Sequence, residues 1–133
     1  MRTLAFLVSI LLLASCNKSS EPTNPLEPLV NHAWVTSKRL INTVEQPISI
    51  CDKDDTLTFG TTGVSTIDHG IEKCFVGQPK FTTRTYLANG NELSVTQNYV
   101  VTVFTIQQLN KEILNIYELK GLDTYRYIYT AKK

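Results

Sequence analysis

The sequence predicts an all-β fold, a small antiparallel up-and-down barrel of about eight strands, on three observations. Apolar side chains alternate with polar ones over short stretches, and no helical period of convincing length appears after residue 30. The stretches are rich in Thr, Val, Ile and Tyr, which suit a pleated, half-buried surface. Gly and Asn turn signals separate them at short spacing, as a meander of hairpins requires.

The strands are expected in this order. The first spans 33–41, and the second, 56–59, is followed by Gly60-Thr61-Thr62-Gly63 and a third at 64–68. The fourth spans 81–87, and Ala88-Asn89-Gly90-Asn91 turns the chain into 92–97, because Asn and Gly tolerate positive φ at the centre of a tight hairpin. Strands at 99–107, 113–119 and 124–131 complete the set. Within them Leu57 and Phe59 share a face, as do Leu93 and Val95, Phe104 and Ile106, Leu114 and Ile116, and Tyr125, Tyr127 and Tyr129. Most opposing positions are Thr, Asn, Lys or Glu, so each strand has one buried and one wet face. A two-sheet sandwich would pattern similarly.

The N-terminal segment reads differently. Met1-Arg2 is a short positive start, and residues 4–13 form a largely apolar run, too short for the ~20 residues that cross a bilayer as a helix. Leu13-Ala14-Ser15-Cys16 resembles the lipobox of bacterial lipoproteins. That resemblance implies a signal peptide at 1–15, a diacylglyceryl thioether on Cys16 and a further amide-linked chain such as palmitate. An ordinary secretory peptide with a free cysteine near its cleavage site is the other reading. Each buried methylene contributes ~0.8 kcal/mol, so two or three acyl chains make a durable anchor. Residues 16–30 form the lipidated cysteine and a polar tether, with Pro22, Pro25 and Pro28 favouring extended chain, and 31–133 form the barrel domain.

Losing Arg2 with the signal peptide leaves 12 of the 13 basic residues against 12 acidic ones, a balance that argues against nucleic acid. Three cysteines are an odd number for an exported chain. Lipid on Cys16 leaves Cys51 and Cys74 as an even pair in an oxidising compartment, so a Cys51–Cys74 disulfide is expected, with two buried thiols as the alternative.

The mature chain also resembles the lipocalin-like lipoproteins of Gram-negative bacteria, over about residues 31–133. The resemblance is carried by Trp34 in the first strand, Cys51-Asp52-Lys53-Asp54-Asp55-Thr56-Leu57-Thr58-Phe59, and Cys74. Asn91-Glu92-Leu93-Ser94-Val95-Thr96, Phe104-Thr105-Ile106 with Leu109, Leu114 and Ile116, and the tyrosine-rich last strand continue it. It implies an eight-stranded barrel, monomeric and anchored in the cell envelope, that binds a small apolar or amphipathic ligand. Asn17, in place of the aspartate associated with inner-membrane retention, points to the outer membrane. Two positions depart from the pattern: His32 stands where lipocalins carry the glycine of Gly-x-Trp, and Thr83-Arg84-Thr85 replaces a Gly-Thr-Trp found in related sequences.

Candidate chemistry is sparse. Asp52, Asp54 and Asp55 offer oxygens to Ca²⁺, but the glycine and distant glutamate of a calcium loop are missing, so a solvated turn is expected there and no metal. His32 and His69 have no ligand spacing, and His69 beside Asp68 reads as exposed turn chemistry. Only clustering of His69, Asp68 and Lys73 in a cleft would favour an enzyme. Neither a nucleophile motif nor a phosphate loop occurs, and no cofactor is expected. Arg126 alternates with the tyrosines of its strand and is expected on the outer face. The candidate ligand-contacting set is Trp34, Phe59, Phe104, Tyr125, Tyr127 and Tyr129, lining an interior that is either filled or hollow. A solid barrel that docks or inhibits another envelope protein is the rival expectation.

Overall fold

The computed structural model describes residues 25–133. The expected signal peptide, Cys16 and most of the expected tether therefore lie outside the described residues. Eight antiparallel strands close into a barrel: β1 (Ala33–Ile41), β3 (Thr56–Phe59), β4 (Val64–Asp68), β5 (Phe81–Asn89), β6 (Glu92–Gln97), β7 (Val100–Leu109), β8 (Ile113–Lys120) and β9 (Asp123–Ala131). Pairing of β1 with β9, from Trp34↔Ala131 to Ile41↔Tyr125, closes the cylinder and removes its free edges. A ninth strand, β2 (Val44–Gln46), pairs with the second half of β1, beyond the part that β3 covers. Two short helices complete the body, α1 (Glu27–Val30) and α2 (Ile50–Asp54).

The hairpins show why these residues turn where they do. Asn42 and Thr43, like Asn98 and Tyr99, take positive φ at both central positions, the backbone that matches the right-handed twist of the flanking strands. Tyr99 thus sits in the turn, where the sequence placed it at the start of a strand. At the Asn-Gly signal the central residues are Gly90 and Asn91, with φ +59° at Gly90 and Asn89 paired to Glu92.

Barrel ends differ in chemistry. At one end α1 lies against the barrel, and residues the sequence assigned to the tether are folded there: Leu29 is fully buried and its carbonyl accepts the Trp34 indole N–H at 3.2 Å. Leu29, Trp34, Leu57, Phe59, Leu93, Val95, Leu114 and Ile116 form one contiguous apolar core beneath it. The alternation read from sequence places these side chains inward correctly, since closure of a period-two strand leaves only one face for the core.

The other end carries the β1–β2 turn, α2, residues 69–80 and the β6–β7 and β8–β9 turns. Here Cys51 on α2 is bridged to Cys74, with their Cα atoms 5.3 Å apart, so the expected disulfide is present. The acidic cluster is not a solvated turn. Ser49 caps α2 by accepting the Asp52 N–H at 3.2 Å, and the helix spreads the three carboxylates toward different partners.

Candidate functional site

Two β-bulges decide what faces the inside of this second end. In β1 the register against β9 shifts between Thr36 and Lys38, so one residue is inserted at Ser37. Trp34 and Thr36 point inward before the bulge, and Arg39, not Lys38, points inward after it, opposite the inward Tyr127. The Arg39 guanidinium carbon stands 5.9 Å from the centre of the Tyr127 ring. A second bulge, between Ile106 and Gln108 in β7, brings Leu109 back onto the core face.

On β5 the even-numbered residues Thr82, Arg84, Tyr86 and Ala88 are the more covered, while Phe81 and Leu87 are exposed on the outer surface. Arg84 pairs across the strands with Ser65, which is fully buried. The middle residue of Thr83-Arg84-Thr85 therefore places a cation on the inward face of this barrel.

Arg84 lines two adjoining hollows. One, of about 150 Å³, is bounded by Trp34, Thr36, Arg39, Asp52, Asp55 and Tyr129 among others. The second, of about 300 Å³, is walled by Val95, Val100 and Phe104 with Gln97, Asn98 and Thr102. The apolar core thus fills the barrel beneath α1, with a groove of about 400 Å³ beside that helix, and the α2 end is open, polar and partly apolar-walled.

Most inward charges at this end have a partner. Arg39 pairs with Asp52 at 3.5 Å. Glu118, buried on β8, accepts the Tyr127 hydroxyl at 2.9 Å and pairs with Lys120 at 2.8 Å. Burial and the neighbouring carboxylate push the Tyr127 phenol well above its usual range. Burial raises Tyr129 in the same way, with Arg84 and Arg39 opposing it. Asp54 accepts the backbone N–H groups of Glu72 and Ile71, at 2.9 and 2.8 Å, which hold its carboxyl below the ordinary range.

His69 is where the reading from sequence fails most clearly. Instead of an exposed turn residue it is only 8% exposed, with Nδ1 3.0 Å from Asp55 and Nε2 2.7 Å from the Thr82 hydroxyl. Gln78 Nε2 stands 2.8 Å from Nδ1, and Gln78 Oε1 accepts the Cys74 N–H at 2.6 Å. Asp68 does not join this group; it accepts the Gly70 N–H. A carboxylate, imidazole and hydroxyl in line is the arrangement that activates a hydroxyl nucleophile. Here it also clasps α2, β4, β5 and the 69–80 loop together, and burial raises the Asp55 carboxyl despite the imidazole beside it. Cys51, Cys74 and Asp52 also lie together, but bridged sulfurs are not thiolate ligands.

The six aromatics expected to contact a ligand are divided by the fold. Phe59 belongs to the core under α1, and Trp34 belongs to that core while also bounding the smaller hollow. Phe104 and Tyr129 line the hollows, and Phe104 meets the edge of Tyr127 at 5.9 Å. Tyr125 stands toward the rim, with Lys120 Nζ 4.9 Å from its ring centre. Arg126 pairs with Leu40 and Tyr117 on the outer face, as its alternation predicts.

Arg39 and Arg84 are the site residues that sequence reasoning missed. A signal for Arg84 was present: hairpin pairing puts Tyr86 beside Val95, so Arg84, two residues earlier, shares the inward face. No signal for Arg39 existed, because a bulge reverses the alternation. Comparison with protein-family models, curated proteins and solved structures gives no match.

Proposed function

We propose that this chain is a lipid-anchored envelope lipoprotein whose barrel binds a small amphipathic molecule, as a binding protein and not an enzyme. One observation carries the binding reading: the interior is packed at the α1 end and hollow at the α2 end, where an apolar wall of Val95, Val100 and Phe104 adjoins polar groups. Ligand sites in general combine apolar lining with a few convergent polar groups. The anchor reading rests on Leu13-Ala14-Ser15-Cys16 and the resemblance to lipocalin-like lipoproteins. It is supported by the Cys51–Cys74 bridge, which leaves Cys16 as the odd cysteine. The first described residues, Pro25 and Leu26, lie beside Gly90 and Asn91 at the α1 end, so an anchor on Cys16 attaches at the packed end of the barrel.

The test measures the unfolding temperature of the full chain against short-chain amphiphiles and neutral sugars. Amphiphiles raise the midpoint in a saturable way on this reading, and a flat response across the panel overturns it. For the anchor, Cys16→Ser is expected to release an oxidised, folded protein from the membrane fraction, and retention of the variant there overturns the lipid assignment.

A second reading, a docking module, draws on the fully exposed apolar tips Val76, Tyr99 and Leu122 on loops around the open end. Changing all three to Ser leaves amphiphile binding intact if the interior is the site.

A further inference from the structure

The charge pairing inside the open end leaves one group over. Asp52 is paired with Arg39 and Glu118 with Lys120, while Asp55, which borders the same small hollow as Arg84, is hydrogen-bonded to His69 through one oxygen. The Arg84 guanidinium makes no ion pair or hydrogen bond among the described residues, and its Nε is buried without a partner. Directly across the strand pair, on the same inward face, the hydroxyl of fully buried Ser65 also lacks a partner. The Nε of Arg39 is likewise buried and unpartnered, and Arg39 and Tyr129 share the smaller hollow with Arg84. Buried donors are normally satisfied, and two unmatched ones on a single cross-strand pair are an exception that asks for a reason. Burial lowers the affinity of Arg84 for its proton, with only Tyr129 opposing.

An anion in the hollow meets the needs of the guanidinium groups that line it. It supplies the charge Arg84 lacks, and its several lone pairs accept from guanidinium and hydroxyl donors together. A neutral oxygen supplies fewer acceptors and no charge. The adjoining wall of Val95, Val100 and Phe104 gives an attached alkyl group an apolar surface, and a hollow of about 300 Å³ accommodates a short one.

We infer that the open end holds a short-chain organic anion, its carboxylate or phosphate head on Arg84 with Arg39 and Tyr129 around it, and its alkyl part along Val95, Val100 and Phe104. This rests on the reading of the hollow as a ligand site and names the class of ligand. Arg84 provides the planar fork that a carboxylate or phosphate accepts in a bidentate manner.

The experiment is calorimetric titration of the full oxidised chain with hexanoate, hexyl phosphate, hexanol and inorganic phosphate, repeated on Arg84→Gln and Arg84→Lys. One or both alkyl anions are expected to bind one to one, at least about 10-fold more tightly than hexanol, as loss of a charge-assisted contact implies. The tighter of the two identifies the head group. Arg84→Gln is expected to weaken the anions by about 10- to 100-fold and to leave hexanol unchanged, with Arg84→Lys intermediate because it keeps charge and loses the fork. Unchanged near-ultraviolet circular dichroism establishes that both variants fold. Hexanol binding as tightly as the anions, with no effect of Arg84→Gln, overturns the anion assignment while leaving the cavity reading standing. Inorganic phosphate binding as tightly as hexyl phosphate overturns the alkyl subsite. Binding of none of the four overturns the cavity reading itself.

Discussion

Arg84→Met should make the ligand-free protein more stable. The guanidinium lies on the inward face of β5 with Nε buried and unpartnered, and it forms no ion pair among the described residues, although Asp52 and Asp55 border the same hollow. A buried donor left without a partner costs ~1–3 kcal/mol, and partial desolvation of an unpaired charge adds to that cost. Methionine keeps a flexible apolar stem in the same space, so most of the side-chain packing survives. Subtracting some lost contact, the expected gain is ~1–2 kcal/mol. For a body of this size that corresponds to a midpoint rise of about 4–8 °C. Urea unfolding of both proteins measures it directly, with the slope unchanged and the midpoint displaced upward. Destabilisation by ~0.5 kcal/mol or more would refute the reasoning, because it would mean that Arg84 has a partner in solution that its surroundings in the barrel do not supply.

Three further outcomes follow from the same structure. Replacing Cys51 and Cys74 by Ser opens a loop spanning a sequence separation of 23. On the chain-entropy account that costs ~3 kcal/mol, read as a lower urea midpoint than that of the oxidised protein. The Asp54 carboxyl is held below its ordinary range, so its grip on the 69–80 loop contributes fully above that range and is lost as pH falls below about 4. Hydrogen exchange at the Ile71 and Glu72 amides should quicken in that acid window beyond the intrinsic pH dependence, and equal protection at pH 3 and pH 6 would contradict it. Asp55, raised by burial, has the opposite sign and gains relative stability as pH falls through its folded value. Deleting Ser37 removes the bulge but keeps Lys38 opposite Ile128 and Arg39 opposite Tyr127, so Arg39 should stay inward with its pairing to Asp52 and its approach to Tyr127. The readout is anion binding retained in a folded protein, and loss of binding would contradict the register.

Strand faces were legible because a closed sheet buries one side, and Leu57, Phe59, Leu93, Val95, Leu114 and Ile116 repeat with the period that geometry demands. The Cys51–Cys74 bridge was legible from cysteine parity. Two features escaped for specific reasons. His69 looks like turn chemistry beside Asp68, yet its ring is buried by Gln78 from its own loop and by Asp55 and Thr82 from two other segments, whose convergence no local spacing records. Leu29 looks like the end of a proline-bearing tether, yet the open end of a small barrel leaves Trp34 uncovered unless some apolar residue caps it, and the nearest chain does so.

The amino-acid order by itself determined the all-β class, the inward rows of aliphatic and aromatic side chains, the pairing candidates Cys51 and Cys74 and the lipobox-like motif ending at Cys16, because each depends on periodicity or on counting within short spans. Tertiary structure alone decided which charges lie inside. A bulge at Ser37 reverses the alternation of β1 and brings Arg39 inward, and cross-strand register sets Arg84 beside Ser65. Those placements follow from how eight strands close on one another, a condition that no single strand contains.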